Sequence, residues 1–446
     1  MGVSLFFTEC KVIFKSIIYL VFICAIILFY SSQFGGAVEN DINEYYANEE
    51  QYPGSLQNNP LIKPLEGADG YGQKYVEIPE QIMLKAVSSI ATDWNQNDYV
   101  IYPFGFGRHI ELNAKKRAET AKIITDITGM EIEDVLDAVL EKRMEYLESD
   151  NIANFSTADI DYSGAVPIII TYDEYKDKMK QLDKILGGPY GETNFQIHSF
   201  VPMTYEEALS EYNAFVSEDK ITGAYARLFC DYMGIVAALL SVFVPVAFLM
   251  RDKRAKANEL IYSRGISSAK FILARYAALI FMMILPFLLL SIIPSAQLIN
   301  FAFGNNMDVD IFAFAKYVAV WILPTLMTTA AAAMVCTAVT DTPIAIAVQF
   351  LWSFISLTVG GFAAYNSGTG NLVHYGMNLI IRHNTVGSLE FYKDNFAQLV
   401  INRTFYTVLS VALVVLTIFI YEKKRRGEAD VRGSLRKIFR NRESAS

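Results

Sequence analysis

Along this chain the apolar residues gather into long unbroken runs rather than the alternation of a half-buried strand. Six runs, Lys11–Ser31, Leu228–Met250, Phe271–Ile293, Ile311–Thr337, Ile344–Tyr365 and Thr404–Tyr421, meet or approach the roughly 20 residues that carry a helix across a ~30 Å hydrocarbon core. An unpaired backbone amide in that core costs several kcal/mol, so runs without barrel periodicity predict helices. The stretch between the first two runs is patterned differently. Pro79–Trp94, Asn113–Thr128 and Glu131–Ser149 read as helices, and in the last Ile132, Val135, Leu136, Val139, Leu140, Met144 and Leu147 fall on one face. Tyr99–Pro103, Val166–Tyr172 and Phe195–Phe200 read as strands. Phe34–Gly72, rich in Asn, Glu, Gly and Pro, reads as an extended stalk, and Thr204–Val216 as a helix leading towards the second span. The expectation is an all-α polytopic membrane protein with six transmembrane helices, plus a mixed α/β, helix-rich extracytoplasmic domain between spans one and two. Its parts are an elbow and first span (1–33), the outer domain (34–225), five further spans (226–421) and a basic tail (422–446).

Charge sharpens this division. The net charge is −9, yet residues 34–225 hold 15 Lys and Arg against 34 Asp and Glu, leaving 23 basic against 13 acidic in the rest. Arg251, Lys253, Arg254, Lys256, Arg264 and Lys270 lie between the second and third runs, Lys423 to Arg426 follow the sixth, and Lys11 and Lys15 flank the first. Pro294–Asp310 has no Lys or Arg. By the positive-inside rule both termini are expected in the cytoplasm of a plasma membrane; 366–403 is placed outside by parity. The first run is long and lacks a prompt small-residue cleavage site, so it reads as a retained span rather than a leader. None of the four cysteines, Cys10, Cys24, Cys230 and Cys336, falls in 34–225. A disulfide-free outer domain of that size points to a bacterial envelope.

Much chemistry is missing. No G-x-x-x-x-G-K-S/T loop, H-E-x-x-H helix or G-x-S-x-G elbow occurs, and His109, His198, His374 and His383 are not spaced as metal ligands. The chain reads as neither an ATPase nor a hydrolase, with no cofactor, metal or nucleic acid of its own. The span centres hold Gln349 but no ionisable group of the kind that ion-coupled carriers use. Energy for any transport has to come from elsewhere.

One connector does carry a pattern. In Arg251–Arg275, residues Ala255–Ser263 read as a short helix that puts Leu260 and Ile261 beside Glu259 and Tyr262. Gly265 stops it, and Ser267–Ser268 cap the helix that enters the third span. The product is an apolar knob on the inner face, suited to a partner's groove. In order, Asp252, Glu259, Leu260, Arg264, Gly265, Ser267 and Lys270 resemble the segment after the second span in the membrane subunit of a type-2 ABC transporter, a type V exporter-like permease. The layout of one span, a large outer domain and five more spans is also similar.

That resemblance implies a permease subunit with Ala255–Ile266 as its coupling helix, and Glu259, Leu260, Ile261, Arg264, Gly265 and Ser267 as coupling residues. It implies a separate ABC-type ATPase subunit, which would hold ATP and magnesium, and a second permease copy or paralogue. Export of a peptide, lipid or drug-like substrate is favoured over import. The alternatives are a membrane sensor or mechanotransmitter, whose usual four spans fit less well, and a secondary transporter. Pro245, Pro286, Pro324 and Pro343 are bend points, and Ala330–Ala333 and Gly360–Gly361 allow close helix contact. In the tail, Val431, Leu435, Ile438 and Phe439 form a stripe among five basic residues, suited to anionic membrane lipid.

Overall fold

The first apolar run holds a break that hydropathy does not reveal. In the computed structural model, which describes residues 2–48, 59–68, 71–102, 107–148, 160, 162–193, 198–255, 265–366, 377–383, 386, 387 and 389–427, helix α1 (Gly2–Phe14) ends before Lys15. Helix α2 (Ile17–Gln33) then starts from Ser16. The chain next turns through Gly35, where a Cβ would lie 2.9 Å from Ser31 Cα, and Gly36, whose φ is +104°. Part of the expected stalk is then a helix, α3 (Ala37–Asn48). Its side chains explain why: Tyr45 packs edge-on to Phe301 at 4.9 Å, and Tyr225 donates to Asp41 at 2.5 Å.

The described residues divide into two compact units, Glu66–Ala208 forming most of one and Leu209–Leu357 with both ends of the chain forming the other. The first of these contains β1 (Gln73–Tyr75), α4 (Pro79–Gln96), β2 (Tyr99–Ile101), β3 (Arg108–Ile110), α5 (Ala114–Thr128), α6 (Ile132–Glu148), α7 (Tyr172–Leu186) and β4 (Phe200–Pro202). Two antiparallel pairs, β1 with β4 and β2 with β3, are all the sheet among the described residues. Ile82, Val87 and Ile90 of α4, Ile124 and Ile127 of α5, Val135 and Val139 of α6, and Tyr175 and Leu182 of α7 make one core. Helix α5 stops at Gly129, which takes the left-handed φ of +73°. Val166–Tyr172 is not a strand: its Ile169 N–H bonds only to the Ile127 carbonyl at the end of α5, and a helix begins at Tyr172. Thr171 and Glu174 close a capping box there.

Helix α8 (Tyr205–Ser217) leads into α9 (Thr222–Leu240) and α10 (Phe243–Arg254). The α9–α10 break follows from Pro245, which has no N–H to offer the Ser241 carbonyl. Next come α11 (Ser268–Gly304), α12 (Ala313–Tyr317), a π turn (Val318–Ile322) and α13 (Leu323–Thr340). After these lie α14 (Ala345–Asn366), α15 (Leu389–Asp394) and α16 (Phe396–Arg425).

Among the described residues, five stretches are long and apolar enough to cross a membrane: Ile17–Ala47, Thr222–Arg254, Ser268–Gly304, Ala313–Thr340 and Phe396–Arg425. Where a further span was expected, α14 offers a shorter apolar stretch, Ala345–Leu357. The last span starts earlier than Thr404, because α16 takes Arg403 inside with 4% exposure. Thr222–Arg254 and Ala313–Thr340 are the inner helices, 61% and 67% buried over their apolar windows, against 22% for Phe396–Arg425. The outward side of α16 shows Val408, Val411, Val415 and Phe419, an apolar surface that suits lipid. Ala330, Ala331 and Ala333 are buried on α13, and the Thr328 hydroxyl is shared between the Pro324 and Tyr406 carbonyls at 2.9 Å each. Small residues with hydroxyl bonds let α13 and α16 approach closely.

Candidate functional site at the basic end of the helices

The residues flanking the connector after α10 are held by buried ion pairs on one side and by hydrogen bonds on the other. Asp252, in the last turn of α10, meets Arg275, two turns into α11, and Arg275 Nε also reaches Glu9 of α1 at 3.2 Å. All three are buried, with exposures of 8%, 7% and 5%. Two rings complete the environment of the guanidinium, Phe271 at 4.1 Å and Phe248 at 5.3 Å. Two carboxylates around one fork of donors is the arrangement in which Arg is not replaceable by Lys. Burying three charges is costly, and they are tolerable only because each is met by the others.

The far end of the connector is fastened to α16. Ser267 caps α11 by accepting from the Lys270 N–H at 3.4 Å, the Ser268 hydroxyl bonds to Glu422, and Arg425 donates to the Ile266 carbonyl at 2.8 Å. Lys424 reaches Asp341 at 3.0 Å, while Lys253 bonds to the Asp341 carbonyl. Asp341, in the left-handed conformation with φ +53°, ends α13. A small cavity of about 90 Å³ lies among Asp252, Lys253, Arg275, Asp341 and Lys424. Force applied to the connector would therefore reach α1, α10, α11, α13 and α16 together.

A second charged cluster sits at the opposite end of α9. Arg227, fully buried, donates twice to Asp219, at 3.1 and 2.6 Å, and once to His383 Nε2 at 3.1 Å, with the Tyr392 ring at 4.5 Å. Burial and the adjacent guanidinium hold His383 well below its ordinary pKa, so it accepts as a neutral ring. Asp231 accepts from Arg382 at 3.1 Å and from the His383 N–H at 2.6 Å. Arg403 donates to the Trp321 carbonyl at 2.9 Å, Thr325 Oγ1 at 3.0 Å and the Leu379 carbonyl at 3.3 Å. The non-helical stretch 377–383 thus finds partners for its polar backbone, as a segment among spanning helices requires.

Of the expected coupling residues, Glu259, Leu260, Ile261 and Arg264 lie outside the described residues, as does the tail stripe. Ser267 is the expected cap. Gly265 is described, but the helix it is expected to stop is not. The sequence reading passed over Glu9, Asp252 and Arg275 as a set. A signal existed, since Arg275 stands inside an apolar run and a charge there needs a partner.

No family model, curated protein or solved structure matches this chain.

Proposed function

We propose that this chain is the permease subunit of an ABC transporter, exporting a peptide, lipid or drug-like substrate with energy from a separate ATPase subunit. In this reading α14 completes six spans, both termini and residues 256–264 face the cytoplasm of a bacterial plasma membrane, and 34–225 face outward as a mixed α/β domain. ATP and magnesium belong to the partner ATPase, and a second permease copy or paralogue completes the pathway. The observation that carries the reading is the double anchoring of the residues that flank 256–264, Asp252 by Arg275 and Glu9 on one side, and Ile266 and Ser268 by Arg425 and Glu422 on the other. A connector that receives force needs rigid attachment to several spans at once, whereas a merely charged inner loop does not.

The test is a search of the adjacent reading frames for a Walker A motif, co-purification with the ATPase so found, and then Leu260→Asp and Glu259→Arg. The expected outcome is loss of substrate-stimulated ATPase activity with the complex still made or weakened. Full coupling in both variants, or transport without any nucleotide-hydrolysing companion, would refute it.

A further inference from the structure

Where α1 breaks from α2, a cleft of about 470 Å³ opens between that elbow and α10. Its apolar wall is Val12, Ile13, Ile18, Val244, Ala247 and Phe248, and its polar rim is Lys15, Ser16, Arg251 and Arg254. Three cations thus line it and no acid does. Arg251 leans on Phe248 at 5.6 Å and on Asp252 at 3.5 Å. Among the described residues neither Lys15 nor Arg254 has an acidic partner, and both are exposed. Ser16 opens α2 without turning its hydroxyl onto the helix, so the positive end of α2 adds to the field at the rim. Beside the cleft, Phe14 and Ile17 stand 68% and 76% exposed, continuing its apolar wall onto the surface that meets lipid.

We infer that this cleft binds one acidic phospholipid, its phosphate held by Lys15, Arg251 and Arg254 and an acyl chain lying against Ile13, Ile18 and Phe248. Three features select that occupant. Apolar walls of this extent suit a hydrocarbon chain, and a free anion would leave them wet. The charged groups of the rim are all cations, which favours an anionic headgroup over a zwitterionic one. The chain's own undescribed neighbours have the wrong net charge: 256–264 carries Lys256 and Arg264 against Glu259, and 428–446 carries five basic residues against Glu428, Asp430 and Glu443. The inference does not depend on the transport reading. It requires only that the elbow lie at a membrane surface.

The probe is the delipidated full-length protein in non-ionic detergent, titrated by native mass spectrometry with phosphatidylglycerol, phosphatidylcholine or inorganic phosphate. Each Lys or Arg near an anionic lipid is worth roughly five-fold in binding. The double variant Lys15→Gln/Arg254→Gln is therefore expected to bind phosphatidylglycerol about 30-fold more weakly, with phosphatidylcholine unchanged. Both residues are exposed, so elution and helix content should match the wild type. Equal affinity for the two lipids would overturn the inference. So would inorganic phosphate binding with the same cation dependence, or an equal loss in the control variant Lys423→Gln/Arg426→Gln.

Discussion

Arg275→Met isolates the anchor on which the proposed coupling rests. The Arg275–Glu9 contact at 3.2 Å corresponds to about 5 kcal/mol of attraction at an effective dielectric of about 20, and Asp252 adds a second contact of the same kind. Desolvation offsets much of this, so the informative quantity is what remains when one partner goes. Without Arg275, Glu9 loses its buried cation and Asp252 keeps only the exposed Arg251 at 3.5 Å, and the expected loss is about 3–5 kcal/mol. For a helical unit of this size that is on the order of 10 °C in apparent melting temperature. Thermal unfolding in detergent, followed by tryptophan fluorescence, would measure it. The neutral triad Glu9→Gln/Asp252→Asn/Arg275→Met should recover most of the loss, because it removes the stranded charges as well as the pair. The reasoning fails if Arg275→Met melts within about 2 °C of wild type, or if the neutral triad is no better than the single change.

Two further outcomes follow from groups elsewhere in the fold. Burial raises the Asp93 carboxyl from its ordinary 3.8 to about 6, against the opposing hydrogen bond from Tyr190. The folded state therefore holds a proton that the unfolded chain releases, and the resulting stability, about 1–2 kcal/mol after allowance for partial solvation, is complete below pH 4 and lost as pH rises through 6. Asp93→Asn should remove that pH dependence, read as hydrogen-exchange protection of α4 in the full chain; an unchanged pH profile would contradict the assignment. Arg403→Met should cost about 1–3 kcal/mol by removing a buried donor from the Trp321 carbonyl and leaving the Leu379 carbonyl with Thr325 as its side-chain donor. Arg403→Lys should recover only part of this, since an ammonium cannot reproduce the fork; equal melting of the Lys variant and wild type would count against the role.

Much of the helical plan was readable because a span is a local property: about 20 apolar residues declare themselves whatever they pack against. Helix α6 was likewise visible, since Val135 and Val139 repeat at the helical spacing and are buried. Helix α7 was missed although its signals were local too. Thr171 and Glu174 form its capping box, and Tyr175, Met179, Leu182 and Leu186 mark its buried face among eight Asp, Glu and Lys residues whose density masks the stripe. Val166–Tyr172 failed for the opposite reason, since β-branched residues suit a strand only when a neighbouring strand exists to pair with. The charged anchors were readable only by half: Arg275 inside an apolar run calls for a partner but does not say which. Glu9 and Arg275 are 266 residues apart, and nothing near either names the other. The elbow break at Lys15–Ser16 also lies within an apolar run that hydropathy alone joins.

The π turn at Val318–Ile322 ends two residues before Pro324, on the inner stretch Ala313–Thr340. A π turn holds one residue more than an α turn, and one residue of an α-helix corresponds to about 100° of rotation. If the surplus residue migrated along α13, every position it passed would swivel by that angle while both helix ends stayed put. Thr325 and Thr328, which bond across to neighbouring backbone, would exchange their partners one at a time. Such a defect lets a membrane helix rewrite its contacts without sliding or tilting.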